Sequence, residues 1–159
     1  MLTSGTNIAS ESIRKKVWQS DCIPKVNCFI WLLMHNKLLT AKNLRKRGIA
    51  GPSRCDLCNS KSESSVHLFL QCSVSLQDWK SILFPISCLF WPPDTLPQLL
   101  TNWNNIFLGN LRKKPILKRL WNTIPKNLWW QIWLARNRVI FKGEKVGPNG
   151  IVSKSIGMI

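Results

Sequence analysis

Four residues in the middle of the chain constrain its fold more than any other feature. Cys55, Cys58, His67 and Cys72 follow the pattern C-x2-C-x8-H-x4-C. A C-x2-C pair has the spacing at which one tight turn points two thiolates at a single ion, and three sulfurs with one imidazole complete a tetrahedral zinc shell. Such a shell leaves no position for water or substrate. These four residues, called the Cys3His quartet below, therefore predict one structural zinc ion.

Two alternatives to zinc remain open for the quartet, a redox-active C-x2-C pair and an accidental cluster. A redox pair follows a strand and begins a helix, whereas Pro52 and Ser53 precede Cys55 here and a polar stretch follows Cys58. His35 is a candidate for an additional ligand. A histidine at a helix end more often makes a hydrogen bond than binds a metal.

The other cysteines and the composition describe the class of protein. Cys22, Cys28 and Cys88 have no paired spacing, and we expect them to be small buried apolar residues. The N-terminal segment has no apolar core typical of a signal peptide, so we expect the six cysteines to be reduced thiols. The sequence leaves the location unknown, with an intracellular site, nuclear or cytoplasmic, as the expectation. No run of about 18 apolar residues predicts a membrane span.

The charge is strongly unbalanced, with 23 Lys and Arg against 7 Asp and Glu, a net charge of +16. A surface of this charge favours phosphate backbones as partners, and we expect non-specific binding of RNA or DNA that weakens with salt. Solvated helix ends and loops are the alternative interpretation of the basic clusters. The candidate contacts are Arg45, Lys46, Arg47, Arg112, Lys113, Lys114, Lys118 and Arg119. Trp91, beside two prolines, is the candidate for stacking on an unpaired base.

The apolar periodicity predicts a mostly α-helical domain organised around the one zinc site, with loose termini. Pro24 suits the first turn of a helix, Thr40 suits the N-cap of a second, and Gly48 suits its end. Pro125 predicts two helical pieces or one kink near the C-terminus. The predicted segments are a disordered segment (1–16), a zinc-binding domain (17–84), a connecting region rich in proline and basic residues (85–115), a Trp-rich helical segment (116–141) and a flexible tail (142–159).

Several strings of the sequence resemble a known family. PKVNCFIWLLMHNKLLTAKNLRKRGI, CDLC and VHLFLQCSVSLQDW occur in that order, and WWQIWLARNRVIF follows later. Together they resemble the zinc-binding domain of plant non-LTR (LINE-type) retroelement reverse transcriptases, over about residues 17–84. The resemblance implies that the Cys3His quartet holds zinc and that the domain follows a polymerase. Cys28 and Ala135 depart from the family pattern, and neither belongs to the quartet.

The acidic residues argue against an enzyme, because two-metal phosphoryl chemistry needs clustered carboxylates. The seven acids stand singly along the chain. We therefore expect no polymerase or ribonuclease H activity. Three hypotheses remain: a nucleic-acid-binding accessory module, a module in which the apolar stretch Cys28–Met34 docks on a polymerase or another protein, and a degenerate fragment without a selected function.

Overall fold

The computed structural model describes residues 4–84, 91–106, 114–146 and 151. In these residues the fold is built from helices without a β-strand, which confirms the prediction of a mostly α-helical domain. The elements are α1 (Ser4–Trp18), α2 (Pro24–Met34), α3 (Ala41–Lys46), a π-helical turn (His67–Gln71), α4 (Ser73–Leu83), α5 (Leu96–Ile106) and α6 (Pro115–Lys142). None of the described helices is long and apolar enough to cross a membrane.

Helix α1 overlaps the segment 1–16 that is expected to be disordered. It packs against α2 and α5. Val17 is fully buried, and the Lys16 ammonium group donates hydrogen bonds to the carbonyls of Leu100 and Thr101 at 3.2 and 3.1 Å. The segment is polar, and its local sequence contributes little to helix stability. Its order therefore comes from these contacts with distant helices.

Helix α2 begins at Pro24, as the sequence predicts. Phe29, Ile30 and Leu33 are buried in the core, so the apolar stretch in α2 is mainly a core element. Cys28 is exposed and Cys22 is half-buried, which corrects the expectation that both are buried; Cys88 lies outside the described residues.

Helix α3 has the predicted boundaries. Thr40 occupies the N-cap position, although its hydroxyl group does not cap the helix. Lys46 is the last residue of the helix and Arg47 is its C-cap, and Gly48 follows with a φ of +75°, a conformation that glycine adopts without strain. At six residues, α3 is too short to persist alone, so its contacts with the rest of the chain decide its stability.

Helix α6 is a single helix of 28 residues with Pro125 inside it, so the alternative of two separate pieces is wrong. A proline has no N–H and leaves the carbonyl four residues earlier without its helical partner. That carbonyl belongs to Trp121, and the Trp103 indole N–H donates to it at 2.8 Å. The two indole rings also stack, with centroids 4.6 Å apart. A side chain from α5 thus replaces the missing helical hydrogen bond.

The core is aromatic and includes the π-helical turn His67–Gln71, called the π-turn below. Phe69 of this turn lies 6.0 Å from Phe29 and 6.4 Å from Trp129, measured between ring centroids. The Trp79 indole N–H donates to the Phe69 carbonyl at 3.0 Å. Full burial of a side chain as large as phenylalanine stabilises the fold by about 2–3 kcal/mol. The segment that carries His67 is therefore anchored in the core.

The described parts of the connecting region and the tail contain a helix and a buried residue. Helix α5 lies inside the connecting region 85–115, of which 85–90 and 107–113 fall outside the described residues. In the predicted tail, Lys142 ends α6. Ile151 is buried, and its N–H donates to the Asp78 carboxylate at 2.8 Å.

Candidate metal centre

The Cys3His quartet converges on one point. Its four ligand atoms all lie within 4.8 Å of one another. The Cys55 and Cys72 sulfurs are 4.0 Å apart, and the Cys58 sulfur lies 3.3 Å from His67 Nε2. A tetrahedral shell with Zn–S bonds of about 2.3 Å and a Zn–N bond of about 2.0 Å sets such atoms about 3.5–3.8 Å apart. The cluster is consistent with one zinc ion, and its four donors fit a structural site.

The first half of the quartet sits on a small hairpin. Cys55 N–H donates to the Lys61 carbonyl and Glu63 N–H donates to the Ser53 carbonyl, both at 2.8 Å. Asn59 turns the chain with a φ of +54°. The backbone amides of Leu57 and Cys58 point at the Cys55 sulfur. Residues 53–63, called the zinc hairpin below, therefore do not form the flexible polar loop that the sequence suggests.

The second half of the quartet sits on the π-turn. Cys72 N–H donates to the His67 carbonyl five residues earlier, at 2.7 Å. In an α-helix the residues that share a face are three or four apart, so a pair five apart diverges. The wider π-turn brings His67 and Cys72 to one side. Such turns are rare and occur frequently at functional sites.

The hydrogen bonds around the two buried thiols separate their pKa values. A hydrogen bond from the Cys55 thiol lowers the pKa of Cys72, and the amides of Ser75 and Val74 at the start of α4 lower it further. The same hydrogen bond to Cys72, together with burial, raises the pKa of Cys55. Two adjacent thiolates repel each other, so one proton stays on the pair unless a cation replaces it. This donor set favours a divalent metal ion.

His67 uses its two ring nitrogens differently. Nε2 faces the sulfurs, while the buried Nδ1 has no hydrogen-bond partner among the described residues. Metal-bound histidines usually donate their second N–H to an acceptor, and no residue of the described chain accepts a hydrogen bond from Nδ1 here. The other candidate ligand, His35, is exposed, and its Nδ1 lies 2.8 Å from the Trp31 carbonyl. His35 is not part of the cluster.

A buried ion pair joins the zinc hairpin to α6 and α3. Arg136 Nη2 and Nε donate to the Glu63 carboxylate at 2.8 and 3.2 Å, and the two side chains are 6% and 0% exposed. The same carboxylate accepts the Ala41 N–H at 2.8 Å and so caps α3. Arg136 also donates to the Leu39 carbonyl at 3.3 Å. We call this arrangement the Glu63–Arg136 clamp.

The sequence gives little sign of the Glu63–Arg136 clamp. Glu63 stands among serines and looks like a solvated acid, and its partner lies 73 residues away. The one available signal is the Arg136-Asn137 pair in the WWQIWLARNRVIF string, which belongs to the family resemblance. A buried function for that arginine follows only from the structure.

The predicted nucleic-acid contacts lie in two separate places. The first group, called the α3 basic turn (Arg45, Lys46 and Arg47), is exposed, and these side chains form no ion pair with any described residue. In the second group, Lys114, Lys118 and Arg119 are exposed at the start of α6, and Arg119 pairs with Asp21 at 2.5 Å. Arg112 and Lys113 lie outside the described residues.

The length of α6 separates these two groups. Arg136 lies beside α3, and it follows Lys118 by 18 residues, which at 1.5 Å per residue is about 27 Å along the helix. The two groups therefore do not form one compact phosphate site. Trp91, the candidate for base stacking, is 90% exposed.

Comparison with known proteins relates part of the chain to a family. A family described as zinc-binding in reverse transcriptase matches residues 2–79, which include the whole quartet, α1 and α2. The match is to a zinc-binding domain and not to a catalytic domain. No curated protein and no solved structure matches the chain.

Proposed function

Residues 2–79 match the family described as zinc-binding in reverse transcriptase, and from that match we propose that the chain is a non-catalytic module that binds RNA or DNA without sequence preference. The α3 basic turn is the proposed contact surface. The observation that carries the proposal is the Glu63–Arg136 clamp, which links the zinc hairpin to α3.

The support runs from the metal to the surface in two steps. The quartet, as the proposed zinc ligands, fixes the zinc hairpin, and Glu63 at the end of this hairpin caps the first turn of α3. A carboxylate at a helix N-terminus stabilises the helix through its dipole and its free N–H groups. The short α3 then presents Arg45, Lys46 and Arg47 at its far end. Zinc would thus hold a basic surface in place without touching the nucleic acid.

The distribution of charge supports a polyanionic partner. Ion pairs with basic side chains engage Glu11, Asp21, Glu63 and Glu144. The net charge of +16 already counts all seven acids of the chain, so this excess of positive charge has no acidic counterpart within the chain. A partner with regularly spaced phosphates releases condensed counterions on binding such a surface.

The placement of the acids supports the non-catalytic part of the proposal. In the part of the chain that the structure describes, the quartet is the one group of three or more His, Cys, Asp or Glu side chains arranged to hold a metal. Its four donors leave no open position for substrate. The Glu63 carboxylate is engaged by Arg136 and α3 rather than directed at a cleft.

Binding of a labelled single-stranded RNA and a DNA duplex between about 50 and 200 mM salt tests the proposal. We expect binding at low salt that weakens steeply with salt. Replacing Arg45, Lys46 and Arg47 together by glutamine should reduce the slope of log K against log salt by about 2 for the single strand, since each phosphate contact contributes about 0.7.

A matched variant removes the same charge elsewhere. Lys37, Lys80 and Lys145 are exposed, and their replacement by glutamine leaves the α3 basic turn intact. If both triple variants lower the slope equally, the binding follows net charge alone and the assignment to the α3 basic turn is wrong. Absence of binding at low salt contradicts the proposed function itself.

A further inference from the structure

An apolar groove lies between α3, the segment 49–52 that follows it, and the C-terminal part of α6. Its cavity volume is about 570 Å³, within the range of about 300–1,000 Å³ typical of ligand pockets. The principal apolar side chains of its wall are Leu39, Leu44, Ile49, Trp133, Ile140 and Phe141. Phe141 is 77% exposed and Ile49 is 52% exposed. Large apolar side chains gathered at one exposed site mark an interaction surface.

The charges at this groove favour an acidic occupant. Arg45 lines it, and Lys46, Arg47 and Lys142 adjoin lining residues in the sequence and are exposed. Arg136 also reaches the wall, but Glu63 neutralises it. Asp56 is the one acidic side chain in the described lining. Basic side chains therefore outnumber acidic ones among the lining residues and their sequence neighbours, called the basic rim below (Arg45, Lys46, Arg47 and Lys142).

Two other occupants fit less well. A second copy of this chain would bring another net charge of +16 to a basic rim, which opposes association. An unpaired nucleic acid needs aromatic faces to stack its bases, whereas most of this wall is aliphatic and Trp133 is covered by the Arg136 guanidinium group 5.0 Å from its ring centre.

We propose that this groove binds an amphipathic α-helix of a partner protein, with apolar side chains at positions i, i+4 and i+7 on the groove floor and acidic side chains against Arg45 and its basic neighbours. This is the arrangement in which a helix lays its apolar face into a groove and charged residues fix its orientation. The inference goes beyond the proposed nucleic-acid binding, and it depends on Phe141, which the nucleic-acid proposal does not use.

Fluorescence anisotropy of the full-length, zinc-loaded chain with a labelled helical peptide of about five turns tests this inference. The peptide carries Leu at i, i+4 and i+7 and Glu on both flanks, and a second peptide carries Lys in place of each Glu. We expect saturable binding of the Glu peptide, and binding at least about tenfold weaker for the Lys peptide. Phe141→Ala should weaken binding of the Glu peptide by at least about fivefold, as expected for an apolar anchor.

Phe84→Ala is the matched control, because Phe84 is 83% exposed and does not line the groove. It should leave peptide binding unchanged, and both phenylalanine variants should keep wild-type binding of single-stranded RNA. Equal effects of the two variants, or equal binding of the Glu and Lys peptides, would overturn the inference. Loss of RNA binding in Phe141→Ala alone would assign the groove to nucleic acid, and self-association that Phe141→Ala abolishes would assign it to a second copy.

Discussion

Replacing Arg136 by methionine removes one partner of the Glu63–Arg136 clamp and leaves the other buried. The Glu63 side chain is fully buried, and its carboxylate would keep only the hydrogen bond from Ala41 N–H among the contacts described above. Removing one partner of a buried ion pair costs about 3–5 kcal/mol, because a charge remains away from water without compensation. We expect the free energy of unfolding of Arg136→Met to fall by about this amount.

Two further variants separate the ion pair from a general effect on α6. Arg138→Met removes a charge two residues away. Arg138 pairs with Glu144 at 3.2 Å, and the two side chains are 39% and 45% exposed, so this variant should lower the free energy of unfolding by less than about 1 kcal/mol. Adding Glu63→Gln to Arg136→Met replaces the buried charge by a neutral group whose oxygen still accepts from Ala41. The double variant should therefore be more stable than Arg136→Met, with a coupling energy of about 2 kcal/mol or more.

Guanidinium chloride unfolding followed by tryptophan fluorescence measures these differences. Free zinc must be held constant, since a ligand that binds the native state raises the apparent stability. Two results would contradict the role that burial and geometry assign to the clamp. The first is an Arg136→Met variant that is no less stable than Arg138→Met. The second is a double variant, with Glu63→Gln added, that is no more stable than Arg136→Met alone.

Two other predictions concern the quartet and a buried lysine. Cys58→Ser removes one of four donors, so zinc per chain by atomic emission should fall well below the single equivalent that the cluster suits. Removing the metal from the wild type with a chelator should raise the rate of hydrogen exchange across residues 50–84, while much of the helical circular dichroism signal remains. If the spectrum, the exchange rates and the melting curve are all unchanged, the metal is not structural. Burial lowers the pKa of Lys126 from its ordinary value of 10.5, so the folded chain releases this proton before the unfolded chain does. The stability of the wild type relative to Lys126→Met should therefore rise with pH between the folded and unfolded pKa values, and a constant difference in thermal melts from about pH 7 to pH 10 would contradict this sign.

Local signals in the sequence predict much of the centre of the molecule. The C-x2-C spacing identifies a turn that needs no information from elsewhere in the chain, and the structure forms that turn at Cys55. Pro24, Thr40 and Gly48 act within one helical turn of their own positions, and the boundaries they predict for α2 and α3 hold. Each of these features depends on backbone conformation over a few residues.

The features that the sequence does not predict depend on distant partners. The order of α1 depends on its contacts with α2 and α5. The polar composition of α1, considered alone, suggests disorder. The continuity of α6 through Pro125 depends on an indole N–H from Trp103, 18 residues before the carbonyl it serves. The burial of Glu63 depends on Arg136. In each case a long-range contact satisfies a polar group that looks exposed or incompatible when only its neighbours are considered.

Because of the π-turn, the spacer between His67 and Cys72 tolerates insertions and deletions less well than the spacer between Cys58 and His67. The interval between Cys58 and His67 passes through exposed residues, Asn59, Ser60 and Lys61, where an added residue can extend the hairpin tip at small cost. The interval between His67 and Cys72 is one hydrogen-bonded turn that encloses Leu68, Phe69 and Leu70, all fully buried. Deleting one residue there would place His67 and Cys72 four residues apart, as in an ordinary α-helical turn. Cys72 and the start of α4 would then rotate away from the other donors. In homologous or engineered chains we therefore expect the exposed hairpin tip to accept a change of length, whereas the spacer between His67 and Cys72 must keep its four residues.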